Sequence, residues 1–382
     1  MKYGFVVLGG TGMQGKIASK DLLQNGHSVL ICGRDPSRIK DLLKHRKADF
    51  AFVNMENIDS ITAVIKKSGA SVVVNCAELV YNLHAMKACL KAEAHYVDLG
   101  GLHYMTLEQF KLDKEFKKKN LIAITGCGST PGITNVMTAY AAQFFDSVRE
   151  IDLGFAWDSN IKKFYPPYSM KSIVSEFSQR PVILHDGKLR EQPRFSCYAE
   201  YDRHLIGKQK AWCIVHSEVL TFWKYFKDQG LKNVRYIAGF PDHSLDAIFT
   251  LIDLGFTSVN PVHVGKVEII PLDFTVEVMK NIKMPAGYRE KESLWVEITG
   301  MKHGKEKKVE IDCFVQSMEG WEFAGSNVDT GMSISIMAQM IKQGLIVEEG
   351  VTAPEKSIPP LPFFKELDRR GFHIYMNKKH LV

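Results

Sequence analysis

The 382-residue sequence has little of what marks a secreted, membrane-spanning or nucleic-acid-binding chain. Its seven cysteines, at 32, 76, 89, 127, 197, 213 and 313, are scattered with no Cys-x-x-Cys pair. Their odd number argues against a disulfide framework or a zinc ribbon, so no metal ligands are assigned and a reducing cytoplasm is the expected compartment. No run approaches the roughly 18 apolar residues of a membrane span. Glycines end the short run Phe5 to Leu8 too soon for a signal peptide. Charge of one sign is also scarce: 49 Lys and Arg face 43 Asp and Glu, and the net +6 is spread along the chain. That balance suits an anionic small molecule or none, and neither nucleic acid nor a membrane is expected as a partner. With 45% apolar and 24% charged residues the chain folds by ordinary burial, and at about 150 residues per domain it holds two or three domains.

The first third repeats one unit: a β-branched apolar run, a turn, then an amphipathic helix. Phe5 to Leu8, Ser28 to Cys32, Ala51 to Val53, Val72 to Cys76, Tyr96 to Leu99 and Leu121 to Ile124 read as strands. Continuous apolar strands alternating with helices predict a parallel sheet covered on both faces. Beyond about residue 148 the rhythm changes. Leu294, Val296 and Ile298 against Val309, Ile311, Cys313 and Val315 predict an antiparallel hairpin turning around Lys302 to Lys305. The expected class is therefore α/β: a Rossmann-type parallel-sheet domain over 1–130, completed by about 326–382 packing back on it, and an α+β substrate and dimerisation domain over 131–325.

Strand one runs into Gly9-Gly10-Thr11-Gly12-Met13-Gln14-Gly15 and then a helix. Gly10, Gly12 and Gly15 fit the pattern in which glycines permit a tight turn, a close approach of pyrophosphate to the backbone, and helix-on-strand packing. Free N–H groups at the helix start then face the phosphates. Gly10, Thr11, Gly12, Met13 and Gly15 are thus expected to hold a dinucleotide. The second strand ends Cys32-Gly33-Arg34-Asp35, with glycine where a carboxylate would take the ribose 2′-hydroxyl of NAD and Arg34 next to it. NADP is expected, with NAD as the alternative should Asp35 turn inward. Because open α/β sheets bind ligands beyond the carboxyl ends of their strands, Asn75, Cys76, Ala77, Leu99 and Gly126 are expected to complete the cofactor crevice. Cys76 and Cys127 are read as packing or backbone positions rather than thiolates.

These stretches resemble the saccharopine dehydrogenase and lysine 6-dehydrogenase family. The resemblance is carried by Gly9 to Gly15, Val72 to Ala77 with Tyr81-Asn82, and Ala88 to Lys91 through His95 to Gly101. It continues in Thr130-Pro131-Gly132-Ile133-Thr134-Asn135, Asp186-Gly187-Lys188, His216 to Val219, and Thr330-Gly331 through Met340. One departure is Thr130, where many members carry an acid before the Pro-Gly. The resemblance implies a Rossmann domain, a sheet-based substrate domain, and NAD(P)-dependent hydride transfer at the C–N bond of an amino acid of the saccharopine or lysine type. Oxidising an amine requires its ammonium to lose a proton, for which Asp98, His216 and Glu218 are the candidate acids or bases. Asp98 has alternatives as a helix cap or as the holder of a substrate ammonium, and His216 as a satisfied interior histidine. The resemblance also places Tyr168 and Lys171 among substrate contacts. A homodimer is the expected assembly. The alternative to an enzyme is a protein that binds NADPH and reports redox state without chemistry.

Overall fold

The computed structural model describes residues 3–382. Its strands, in chain order, are β1 (Phe5–Leu8), β2 (Val29–Gly33), β3 (Ala48–Phe52), β4 (Val72–Asn75), β5 (His95–Asp98) and β6 (Ile122–Ile124). Then come β7 (Ser147–Ser159), β8 (Val182–His185), β9 (Lys188–Glu191), β10 (Tyr198–Arg203), β11 (Gly207–Cys213), β12 (Asn233–Phe240), β13 (Val262–Val264) and β14 (Val267–Ile269). The last are β15 (Glu290–Lys302), β16 (Lys305–Gln316), β17 (Gly350–Thr352), β18 (His373–Met376) and β19 (Lys379–His380).

The first sheet is all parallel in the order β17-β6-β5-β4-β1-β2-β3. Its short strands are apolar on both sides because both faces are covered. Val6, Leu8 and Val73 point into one buried cluster, under helices Ile58–Ser68 and Asn82–Ala92. Phe5, Val7, Val72 and Val74 point into the other, which runs on without a break into the second half of the chain. The order reverses between β1 and β4, and that reversal opens the crevice where such sheets take ligands.

The second sheet is mixed, in the order β10-β11-β12-β7-β15-β16-β18-β19, with β8 and β9 attached beside β12. The predicted hairpin is β15 and β16, paired from Lys291↔Gln316 to Lys302↔Lys305. The C-terminal segment divides between the two sheets. Helix Val328–Lys342 lies on helix Met13–Gln24 and over β4 and β5, and β17 adds the seventh strand beside β6. An ion-pair fork locks this arrangement: buried Asp21 accepts from Arg370 Nε at 2.7 Å and Nη2 at 3.0 Å, and from Ser335 Oγ at 2.6 Å. Residues 373–380, expected with the first domain, instead extend the second sheet, β18 pairing with β16 and β19 with β18, and so cover an edge that would otherwise carry unpaired backbone groups. A second correction concerns the cysteines. The antiparallel pairing of β10 with β11 brings Cys197 opposite Cys213, and the two form a disulfide with Cα atoms 5.3 Å apart. Among the described residues no helix is long and apolar enough to cross a membrane.

Candidate active site

The glycine turn after β1 is forced by its neighbours at three positions and left open at a fourth. A Cβ on Gly9, which has φ +69°, would stand 2.6 Å from the Ala77 nitrogen; one on Gly10 would stand 2.4 Å from Ile31; one on Gly15 would stand 2.4 Å from the Gly9 carbonyl. Gly12 is different, since a Cβ there meets only the Gly9 oxygen, at 3.3 Å. It is the N-cap of helix Met13–Gln24 and supplies no side-chain cap, so no capping side chain occupies the first-turn N–H groups. That cradle fits a pyrophosphate, and the same turn lies against Cys76-Ala77. Beyond β2, a side chain at Gly33 would collide with Thr11 Oγ1 at 2.5 Å, which excludes an NAD-type carboxylate there. Asp35 does not turn inward. Its carboxylate caps the turn that follows, accepting from the Ser37 N–H at 2.9 Å, while Arg34 stands exposed beside it.

Asp98, expected as an acid or base, is fully buried at the end of β5 with both oxygens occupied. Oδ1 accepts from the Gly100 N–H at 2.7 Å, the Gly126 N–H at 3.0 Å and the Thr125 hydroxyl at 3.2 Å. Oδ2 accepts from the Tyr96 hydroxyl at 2.9 Å and from the Gln109 amide. Burial raises its carboxyl above the usual range against the pull of these donors. This is the geometry of a loop anchor, with no oxygen left for a substrate proton, and it corrects the catalytic expectation. Asp98 fixes the lips carrying Leu99 and Gly126. Asn75 joins the same network through its Nδ2, which donates to Asn82 at 2.9 Å and to the Tyr96 hydroxyl at 3.0 Å. Burial pushes the Cys76 and Cys127 thiols well up, so neither is a thiolate.

Across the crevice, His216 and Glu218 sit where the chain passes from β11 into helix Glu218–Phe226. The His216 Nδ1 and Glu218 Oε2 form a buried hydrogen-bonded pair, and the imidazole stacks on Tyr236 with centroids 3.8 Å apart and planes 8° from parallel. Burial alone would lower the imidazole, but the Glu218 charge and hydrogen bond carry it above its ordinary value. Tyr168 donates to Glu176 at 2.7 Å; burial, tempered by the nearby His216, pushes the Glu176 carboxyl up to about 7. Glu290 and Glu292, at the start of β15, and buried Asp329, on helix Val328–Lys342, close this side. Burial raises the Glu292 carboxyl strongly, helped by the Asp329 and Glu290 charges, and Asp329 is pushed to about 7. Asp329 Oδ2 is buried without a hydrogen-bond partner. Among the described residues, no lysine or arginine pairs with any of these five carboxylates. Lys171 lies outside this group, exposed, with its Nζ 3.7 Å from Glu78 on the opposite lip.

The sequence reading missed Glu176, Tyr236, Glu290, Glu292 and Asp329. One signal was available. Glu290 and Glu292 share the period-two face of Leu294, Val296 and Ile298, where an acid faces the interior.

Residues 5–124 match the family model described as the saccharopine dehydrogenase NADP binding domain, and residues 128–372 that described as the saccharopine dehydrogenase C-terminal domain. A carboxyaminopropylagmatine dehydrogenase of Synechocystis is 24% identical over 96% of this chain and 95% of its own. A carboxynorspermidine synthase of Vibrio alginolyticus is 24% identical over 88% of this chain and 84% of its own. In fold, the chain resembles saccharopine dehydrogenase (L-Glu forming) of Saccharomyces cerevisiae, with a TM-score of 0.77, 12% identity and full coverage of both chains.

Proposed function

This chain belongs to the saccharopine dehydrogenase family of NADP-binding oxidoreductases, and we propose that its substrate is a carboxyalkylated polyamine-type amine rather than saccharopine or lysine. The observation that carries this reading is the crevice itself. Five carboxylates around His216 with no lysine or arginine to balance them suit a substrate carrying several ammonium groups. Two relatives named for carboxylated polyamine derivatives support the same class.

Held by the turn of Gly10, Thr11, Gly12, Met13 and Gly15, a bound nicotinamide cofactor would supply reversible hydride transfer at the substrate's C–N bond. The chain's own residues handle the proton. In the oxidation direction the neutral His216 imidazole accepts it from the substrate ammonium, and Glu218 holds the ring and its charge. Asp98 keeps the loops around the nicotinamide side of the crevice in place. Glu292 and Asp329 hold a distal ammonium, and Tyr168 with Glu176 borders the reacting nitrogen. Arg34 reads the 2′-phosphate.

A second copy of the chain covers an apolar surface in the second half. Leu254 and Val259 (each 68% exposed), Val264 (61%) and Val267 (60%) surround β13 and β14, a two-stranded sheet that pairs with no other strand. Such a hairpin is marginal alone and a patch of this kind marks an interface. Light scattering is expected to give twice the chain mass, and Val264→Glu to give monomers; a wild-type monomer refutes the dimer.

The activity test is a steady-state screen with NADPH and NADP⁺ against carboxynorspermidine-type amines, saccharopine and lysine. Turnover of the polyamine derivatives with tenfold or greater preference in kcat/KM is the expected result. Preference for saccharopine overturns the substrate class. Tight NADPH binding with no turnover of any amine or imine is the behaviour of a redox sensor and overturns the reaction.

A further inference from the structure

Far along the chain, three side chains converge that have no part in the reaction proposed above. Helix Pro360–Asp368 ends on Asp368, His373 opens β18, and His380 ends β19. Asp368 Oδ1 lies 2.8 Å from His373 Nδ1 and 3.2 Å from His380 Nε2. Donor atoms of all three residues fall within 4.8 Å of one another, and the two imidazoles stand edge to face with centroids 5.3 Å apart.

The backbone beneath them is fixed. The Gly371 N–H donates to the Asp368 carbonyl at 2.8 Å and the Phe372 N–H to the Leu367 carbonyl at 3.0 Å, which sets Asp368 against His373. Asn377 and Lys378 take left-handed φ values of 49° and 65°, making a tight turn that places His380 opposite Tyr375. Asn377 is tied to β16 by its N–H to the Glu310 carbonyl at 2.9 Å and by its side-chain oxygen, which accepts from the Glu310 N–H at 3.1 Å.

Two imidazoles and one carboxylate are a borderline nitrogen and oxygen set. It suits zinc and its first-row neighbours, whereas calcium and magnesium favour sites built almost wholly of oxygen. Tetrahedral bonds of about 2.0 to 2.2 Å put neighbouring donors roughly 3.3 to 3.6 Å apart. The two aspartate–histidine separations are short of that by a few tenths of an ångström, a change that side-chain rotation supplies. Asp368 and His373 are half-buried and His380 is exposed, so an ion reaches the trio from water.

We propose that Asp368, His373 and His380 form a site for a divalent transition-metal ion of the zinc type, with water completing the coordination. The ion clips the final hairpin of the second sheet to helix Pro360–Asp368. Because that helix packs on helix Val328–Lys342, the clip also ties the second sheet to the cover of the nucleotide-binding sheet.

The test uses the untagged, chelator-stripped full chain with ZnCl₂ as the probe, followed by calorimetry and thermal unfolding. The expected result is one Zn²⁺ per chain, a rise in Tm with Zn²⁺, and no rise with Mg²⁺. Asp368→Asn and His380→Ala are expected to weaken Zn²⁺ by at least the roughly tenfold that loss of an outer partner of a ligand costs, and to cancel the Tm rise while NADPH binding is kept. His380 is exposed, so its variant decides the matter if Asp368→Asn folds poorly. Absence of Zn²⁺-dependent heat in the wild-type chain, or equal Zn²⁺ affinity in the His380→Ala variant, overturns the proposal.

Discussion

Arg34, exposed between two neighbours that are closed to the cofactor, is the residue proposed to set cofactor choice. Gly33 has no room for an acid and Asp35 is spent on capping Ser37, which leaves Arg34 as the group proposed to meet a 2′-phosphate. Arg34→Ala is expected to weaken NADPH by about 1.5 kcal/mol, the low end for a charge-assisted contact because the site is open to water, and to leave NADH unchanged. Fluorescence titration with both cofactors checks this; equal losses refute the phosphate contact. His216 depends on its partner in the same way. Glu218 raises the imidazole, and in amine oxidation the ring must be neutral to take a proton. With His216 as the proposed base, the acid limb of kcat/KM is therefore expected above the ordinary histidine value. Glu218→Gln removes the raising charge, so the limb is expected to move to lower pH, and an unmoved limb means His216 is not the base.

At the scale of elements, one close approach beside the site is between two helices. A Cβ on Gly331 would stand 2.5 Å from the Ile17 Cβ, so helix Val328–Lys342 meets helix Met13–Gln24 at a glycine. Gly331→Val is expected to cost about 1 to 3 kcal/mol of stability as the helices separate, read as a lower urea midpoint, and to weaken NADPH because helix Met13–Gln24, which opens at the glycine turn, is displaced. Elements of this kind were legible in the sequence wherever their signal is local. The glycine turn, the parallel strands and the β15–β16 hairpin each carry their own period or spacing. Of the acidic crevice only Glu218 was legible, because Glu176, Glu292 and Asp329 come from separated stretches and join it only through the packing of helix Val328–Lys342 and the second sheet. Asp98 was visible as a residue but not as an anchor, since only Tyr96 shares its strand face and the other four donors come from loops and a helix that no periodicity connects to it.

For the whole molecule, the uncompensated acids couple stability to pH. Glu176, Asp329, Asp312 and Glu355 are each pushed up to about 7 by burial. In the unfolded chain such groups ionise near 4, so between about pH 4 and 7 the folded state binds more protons and these groups remove stability as pH rises. The raised His216 acts in the same sense, its contribution being lost as pH climbs through its folded value. The expected outcome is a lower Tm at pH 8 than at pH 5.5, with the difference reduced by norspermidine, whose ammonium groups balance Glu292 and Asp329. Scanning fluorimetry at the two pH values measures it, and a Tm that rises with pH refutes the coupling.

The seventh strand gives the molecule a history as well as a shape. Roughly 220 residues separate β6 from β17, and at about 5 to 20 residues per second a ribosome takes on the order of 10 to 45 s to make them. For that interval a nascent nucleotide-binding sheet has β6 as a bare edge, with helix Val328–Lys342 not yet laid over β4 and β5. Its closure waits on the synthesis of residues 328–352, and that stretch determines when the β6 edge stops being open to pairing with other chains.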